Sequence, residues 1–131
     1  MYRTLDVVGP ELPGQKPHYL MGVGTPENLE EAIKRGVDMF DCVLPSRLGR
    51  HGEAFSAEGE LKIRLEKFKN SQEPIPCVDG VETYVSKNYT LGYLRHLILT
   101  GEMTGQVLLS MHNLEYLIQL TKRIRSDVFE H

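Results

Sequence analysis

The chain is 131 residues long, with 40% hydrophobic and 25% charged residues and a formal net charge of −3. That composition is ordinary for a globular domain, or for part of a larger one. A net negative charge gives no global attraction to nucleic acid, so any RNA contact must rest on a local patch.

No stretch approaches the roughly 18 apolar residues that a membrane-spanning helix requires. The opening residues Met1-Tyr2-Arg3-Thr4-Leu5-Asp6 lack the apolar core of a signal peptide. The expectation is a cytoplasmic protein with no membrane partner. Cys42 and Cys77 are the only cysteines and neither belongs to a C-x-x-C motif, which suits a reducing compartment better than a disulfide framework. Between Arg47 and Lys69, six basic residues stand against four acidic ones. This local excess is either a solvated mixed-charge surface or an RNA-facing patch.

In chain order, residues 1–17 carry Gly9-Pro10, Pro13-Gly14 and Pro17 and predict a loop-rich lead-in. His18 to Gly24 predicts a short strand ending in glycines. Thr25 is placed to cap a helix, Pro26 fits its first position, and Glu27 complements its dipole. Leu29, Ala32 and Ile33 recur at helical spacing, and Gly36 is a natural stop. A second apolar run, Val37 to Leu44, predicts another strand, ended by Pro45. Two strands joined by one helix form a βαβ unit with parallel strands, the signature of an α/β fold.

Beyond Pro45, Ala54-Phe55-Ser56 and Leu61 to Arg64 flank Glu58-Gly59-Glu60, which predicts a hairpin. Residues 70–87 are expected to be irregular. Two amphipathic helices follow. Tyr89, Tyr93, Leu94, Leu97 and Ile98 form one stripe, ending before Gly101. Val107, Met111, Leu114 and Ile118 form another, and both stripes are expected to be packing faces.

Asp41 interrupts the apolar run Met39-Phe40-Asp41-Cys42-Val43-Leu44. A strand of a parallel sheet is buried on both faces, so an unpaired carboxylate there is costly. It is tolerated if paired, if it lies at the strand's open end, or if its chemistry is used. Functional groups of parallel α/β folds cluster at the C-terminal ends of strands. Arg47 and Arg50 follow three residues apart in what reads as the next loop. Their guanidinium forks suit phosphate or base edges, or a simple pair with Asp41. The pattern leaves a structural and a functional reading of Asp41 open. Asp38 lies at an odd offset from Asp41 and so faces the other way.

The run His18-Tyr19-Leu20-Met21-Gly22-Val23-Gly24-Thr25-Pro26-Glu27 and the run from Arg35-Gly36-Val37-Asp38 through Asp41 to Pro45-Ser46-Arg47 resemble the tRNA-guanine transglycosylases, also called queuine tRNA-ribosyltransferases. The resemblance continues through Ile63-Arg64, Asn88-Tyr89, Tyr93-Leu94, His96-Leu97 and His112-Asn113-Leu114. It covers essentially the whole chain, but only the C-terminal part of the family's much longer protein.

The resemblance implies a (β/α)8 TIM-type barrel, of which this chain would hold the last two strands. A hairpin, a degenerate zinc-binding insertion and two helices would follow them. Residues 1–66 would be the last barrel strands and the hairpin, and residues 67–131 the insertion region and C-terminal helices. By the same resemblance Asp41 is the nucleophile, while Met21 and Gly22 line the base pocket. Two stretches would contact RNA: Gly22, Val23, Gly24, Thr25, Pro26, Glu27 and Asn28, and then Ser46, Arg47, Leu48, Gly49 and Arg50.

The implied reaction exchanges guanine at the tRNA wobble position for a 7-deazaguanine, prequeuosine-1 or queuine. The implied partners are therefore a tRNA anticodon loop, that base, and either the missing N-terminal barrel part or a homo- or hetero-oligomer partner. The chain would be a fragment or one half of a split enzyme. The alternative is a non-catalytic accessory or RNA-binding subunit, or an inactive truncated remnant.

The family's zinc pattern is C-x-C-x-x-C followed by a histidine. Anchored on Asn88-Tyr89, its cysteine positions fall on Val81, Thr83 and Ser86 and its histidine on His112. Only the histidine is a family ligand, so the expectation is that zinc is lost. Cys77, Asp79 and Glu82 repeat the spacing with harder ligands, which are less typical of structural zinc.

Overall fold

The computed structural model describes residues 1–130. It divides into two compact units, one formed by Met1–Val43 with the chain from Thr121 onward, the other by Leu44–Leu120.

The first unit opens on helix α1 (Tyr2–Val8), which runs on into a 3-10 turn at Gly9–Glu11. The expected lead-in loop is thus confined to residues 12–17. Long-range side-chain contacts, which local turn signals do not report, hold α1. Arg35 Nε donates to Asp6 Oδ1 at 2.8 Å, and the same guanidinium lies 4.9 Å over the Tyr2 ring. The Tyr2 hydroxyl also donates to the Asn28 side-chain oxygen.

Strand β1 (Tyr19–Met21), helix α2 (Pro26–Lys34) and strand β2 (Met39–Asp41) form the expected βαβ unit. The strands are parallel, pairing Tyr19 with Met39, Leu20 with Phe40 and Met21 with Asp41. Thr25 Oγ1 accepts from the Asn28 amide at 3.3 Å, which caps α2 as its sequence predicts. Leu29, Ala32 and Ile33 are its buried face. Both strands are shorter than their apolar runs. Gly22, at φ +73°, turns the chain straight after Met21, and the second run passes into a helix at Leu44. Asp38 ties the start of the pair, its carboxylate accepting from the His18 amide at 2.8 Å.

The second unit begins with helix α3 (Leu44–Arg50), where the sequence reads as a loop. Pro45 does not oppose it, because a first-turn residue has no intrahelical N–H bond to lose. The hairpin follows as expected: β3 (Glu53–Ser56) pairs antiparallel with β4 (Gly59–Lys62). Ser56 Oγ locks the turn by accepting from Glu58 N and donating to Gly59 O. Residues 70–87 are irregular as far as Thr83, which then caps a short helix α4 (Tyr84–Asn88) in a reciprocal box with Ser86.

Helix α5 (Leu91–Leu99) buries Leu91, Leu94, Leu97 and Ile98, while Tyr93 is exposed and stacks on Tyr89 with centroids 5.7 Å apart. These residues join Ala54, Leu61, Ile63, Ile75, Val85, Leu108 and Leu109 in the core. Helix α6 (Met103–Glu130) corrects a prediction. Its stripe of Val107, Met111, Leu114 and Ile118 is exposed, at 44–54% of each residue's surface. The buried face includes Leu108, Leu109, His112, Asn113, Tyr116, Leu120 and Ile124. Two of those residues are polar, which hides the face from a count of apolar spacings. Their polarity is satisfied: Asn113 Oδ1 accepts from Phe55 N at 2.9 Å, and its Nδ2 donates to Pro45 O and Glu53 O at 3.0 and 3.1 Å.

Candidate active site

The odd carboxylate of the sequence is the last residue of β2. Alternation along the paired strands puts Tyr19, Met21, Met39 and Asp41 on one face, all exposed, with Leu20 and Phe40 half-buried on the other. Asp41 therefore sits at a C-terminal strand end on an open face. The apolar run through Leu44 does not bury it.

Asp41 Oδ1 accepts from the Tyr19 hydroxyl at 2.6 Å and from the Gly22 amide at 3.2 Å. The Tyr19 hydrogen bond, and after it the Gly22 amide, hold the Asp41 carboxyl below the ordinary carboxylate range. The same bond raises the Tyr19 phenol. Sequence reasoning missed Tyr19 as a site residue. The available signal was its position two residues before Met21, the residue that pairs with Asp41 in the parallel register.

Gly22, at φ +73°, is free to aim its amide at Asp41. Gly24 answers a packing demand as well, since a Cβ there would lie 2.5 Å from Cys42 Cβ. Val23 is half-buried. Thr25, Pro26, Glu27 and Asn28 form the start of α2. The Asn28 amide is bound by the Thr25 cap and its side-chain oxygen by Tyr2.

In the second unit Arg47 and Arg50 are exposed on α3, three residues apart and so on one side of the helix. Ser46 is half-buried, while Leu48 and Gly49 are buried. A Cβ on Gly49 would come within 2.3 Å of Ser110 Oγ and 2.7 Å of its backbone nitrogen, so the helix needs glycine there.

His112 and Thr83 are completely buried and Val81 nearly so. His112 Nδ1 is 2.8 Å from Thr83 Oγ1, and Nε2 is 2.8 Å from Phe55 O. Thr83 Oγ1 also accepts from the Ser86 amide at 3.0 Å. Both imidazole nitrogens are committed, Val81 has no donor atom, and the hydroxyls at 83 and 86 are bound to neighbours. These residues do not fit a zinc ion. Among the described residues no three His, Cys, Asp or Glu side chains are grouped to hold a metal, so the Cys77, Asp79 and Glu82 register is not assembled. Burial pushes the Cys77 thiol up, opposed by its bond to Ser86.

The family model for queuine tRNA-ribosyltransferase matches residues 1–131. The chain belongs to that family. It is 44% identical to the queuine tRNA-ribosyltransferase of Herminiimonas arsenicoxydans, over 99% of this chain and 34% of that protein. It is 47% identical to the protein of the same name in Clostridium acetobutylicum, over 98% of this chain and 34% of that protein. The Francisella tularensis subsp. novicida relative is also 47% identical, over 99% of this chain and 35% of its own length. The chain thus spans about a third of the length of the curated queuine tRNA-ribosyltransferases it matches. The family name is that of a transferase, and the mixed α/β architecture with small sheets is consistent with part of such a domain.

Proposed function

We propose that the chain is the C-terminal part of a tRNA-guanine transglycosylase, carrying the nucleophile of a base exchange at the tRNA wobble position. In this reading β1 and β2 are the seventh and eighth strands of a (β/α)8 barrel, whose other strands come from the rest of the protein or from a partner chain. The observation that carries it is Asp41, exposed at the C-terminal end of a parallel strand with its carboxyl held below the ordinary carboxylate range by the Tyr19 bond. Catalytic groups of such barrels stand at those ends.

An Asp41 oxygen attacks the ribose C1′ and the glycosidic bond to guanine breaks, its electron pair leaving with the base. A proton reaches guanine from an acid outside this chain. The resulting ribosyl ester is opened by a 7-deazaguanine nitrogen, which gives its proton to the conjugate base of that same acid, forms the new glycosidic bond and frees the carboxylate. This is the two-step logic of retaining glycosidases, with a base in place of water. Met21, on the same exposed face as Asp41, and Gly22 would border the base. The Gly22–Asn28 and Ser46–Arg50 stretches would face the anticodon loop. Arg47 and Arg50 give the second stretch charge suited to phosphate or base edges.

The test completes the barrel. This chain replaces the C-terminal third of the Clostridium acetobutylicum relative, and exchange of labelled guanine into tRNA is measured. Activity is expected, and Asp41→Asn should lower it by at least about a thousandfold. Exchange that survives Asp41→Asn removes the nucleophile from this residue. An accessory RNA-binding role is the second reading, favoured by the exposed Arg47 and Arg50. It requires tRNA binding by the completed protein without exchange.

A further inference from the structure

The zinc positions implied by the family are filled here by side chains that satisfy one another. Phe55 O is a carbonyl and can only accept, so His112 Nε2 carries the imidazole proton and donates it across 2.8 Å. A neutral imidazole has only that one proton, so Nδ1 accepts, and Thr83 Oγ1 donates to it at 2.8 Å. Thr83 Oγ1 in turn accepts from Ser86 N at 3.0 Å. Ser86 Oγ accepts from Thr83 N and donates to Thr83 O, each at 3.0 Å. Every polar side-chain atom in this chain of bonds has a partner, and Ser86 also bonds the Cys77 thiol. Among the described residues, no buried side-chain nitrogen or oxygen lacks a partner.

We infer that a hydrogen-bonded relay through Thr83 and His112 replaces a metal in this chain, tying the capped start of α4 and strand β3 to helix α6. The inference is independent of the transferase reading, since it concerns neither Asp41 nor tRNA. A metal ion and this relay do similar structural work by different means. Zinc draws distant segments together through thiolate and imidazole lone pairs. The relay joins the same kind of segments through directed bonds in a dry site, where an unmade bond is costly.

The two arrangements exclude each other at His112. The Nδ1 lone pair is taken by the Thr83 proton, and Nε2 carries the proton given to Phe55. Neither Thr83 nor Ser86 can supply a thiolate. Burial, the largest influence on the imidazole, also favours its neutral form, against a smaller pull from the Phe55 carbonyl and Glu115. Folding of this unit is therefore uncoupled from zinc, unlike that of a structural zinc site, where binding and folding are one equilibrium.

The full chain, expressed with zinc in the medium, is assayed for bound metal, and its thermal midpoint is measured with and without a strong chelator. The expected result is well under one zinc per chain and an unchanged midpoint. One zinc per chain, or a midpoint lowered by the chelator, overturns the inference. Nitrogen-15 spectra of the wild-type imidazoles give a second readout. His112 should be neutral, with a slowly exchanging Nε2 proton, and a proton on Nδ1 would overturn the relay. Thr83→Val should lower the midpoint by on the order of 5–10 °C, and Thr83→Ser should recover most of the loss. An unchanged midpoint in Thr83→Val would show that the relay stabilises nothing. If Thr83→Val does not fold, the wild-type imidazole spectrum and Thr83→Ser decide.

Discussion

Asp41 is asymmetric. Among the described residues, the hydrogen bonds to it from the Tyr19 hydroxyl and the Gly22 amide both fall on Oδ1, which would leave Oδ2 the more electron-rich oxygen for the proposed attack at C1′. Tyr19 does two things at once: it fixes the carboxylate's rotation and it lowers the carboxyl's proton affinity. In the proposed exchange the attacking form is ionised, so activity is expected above the Asp41 pKa and should be lost as pH falls through it. Tyr19→Phe removes the strongest influence holding that pKa down. The acid limb of kcat/KM in the completed protein should therefore move to higher pH, with a loss of roughly tenfold at neutral pH from the missing charge-assisted bond. A variant with an unmoved acid limb would leave Tyr19 with no positioning role. The oddness of Asp41 was legible from the apolar run around it. Tyr19 was not, because an aromatic residue in a short strand looks like packing until the register is known.

At the level of elements, the βαβ unit and the hairpin were legible because their signals are local. Thr25, Pro26 and Gly36 mark the ends of α2, and the turn residues before Gly59 set the hairpin. Helix α3 was not legible, since Pro45 reads as the end of the preceding strand and Gly49 argues against a helix in isolation. What permits α3 is contact with the second unit's own core. Leu48 is buried there, and Gly49 passes so close to Ser110 that a methyl group would overlap its backbone nitrogen and Cα as well as its hydroxyl. Gly49 is thus selected by clearance, although its helical propensity is poor. Gly49→Ala should destabilise the second unit by about 1–3 kcal/mol despite alanine's better propensity. Denaturant unfolding would measure this, and a neutral or stabilising result would mean that α3 shifts freely against α6. The faces of α6 were misassigned for a related reason. Hydrophobic periodicity ranks residues by apolarity, whereas the observed interior accepts His112 and Asn113 because backbone groups of the hairpin and Pro45 complete their bonds.

For the molecule as a whole, family membership was the most legible property, because it rests on runs of residues rather than on tertiary contacts. The organisation into two units was harder to read, since α6 contributes residues to both. Burial was the least legible property at this scale, since apolar spacing alone does not say which row of a helix is covered. The apolar row of α6, Met103, Val107, Met111, Leu114 and Ile118, is the clearest case. It governs how the chain behaves in a test tube. Near its isoelectric point of about 5.9, long-range repulsion between molecules vanishes and exposed apolar rows can meet. Solubility should pass through a minimum in mildly acidic buffer, and precipitation by ammonium sulfate should come early. Placing lysine at both Met111 and Ile118 should raise solubility at neutral pH and leave the melting midpoint unchanged, as both side chains are already exposed. The row that looked like the inside of a helix pair would then be the first thing a purification protocol encounters.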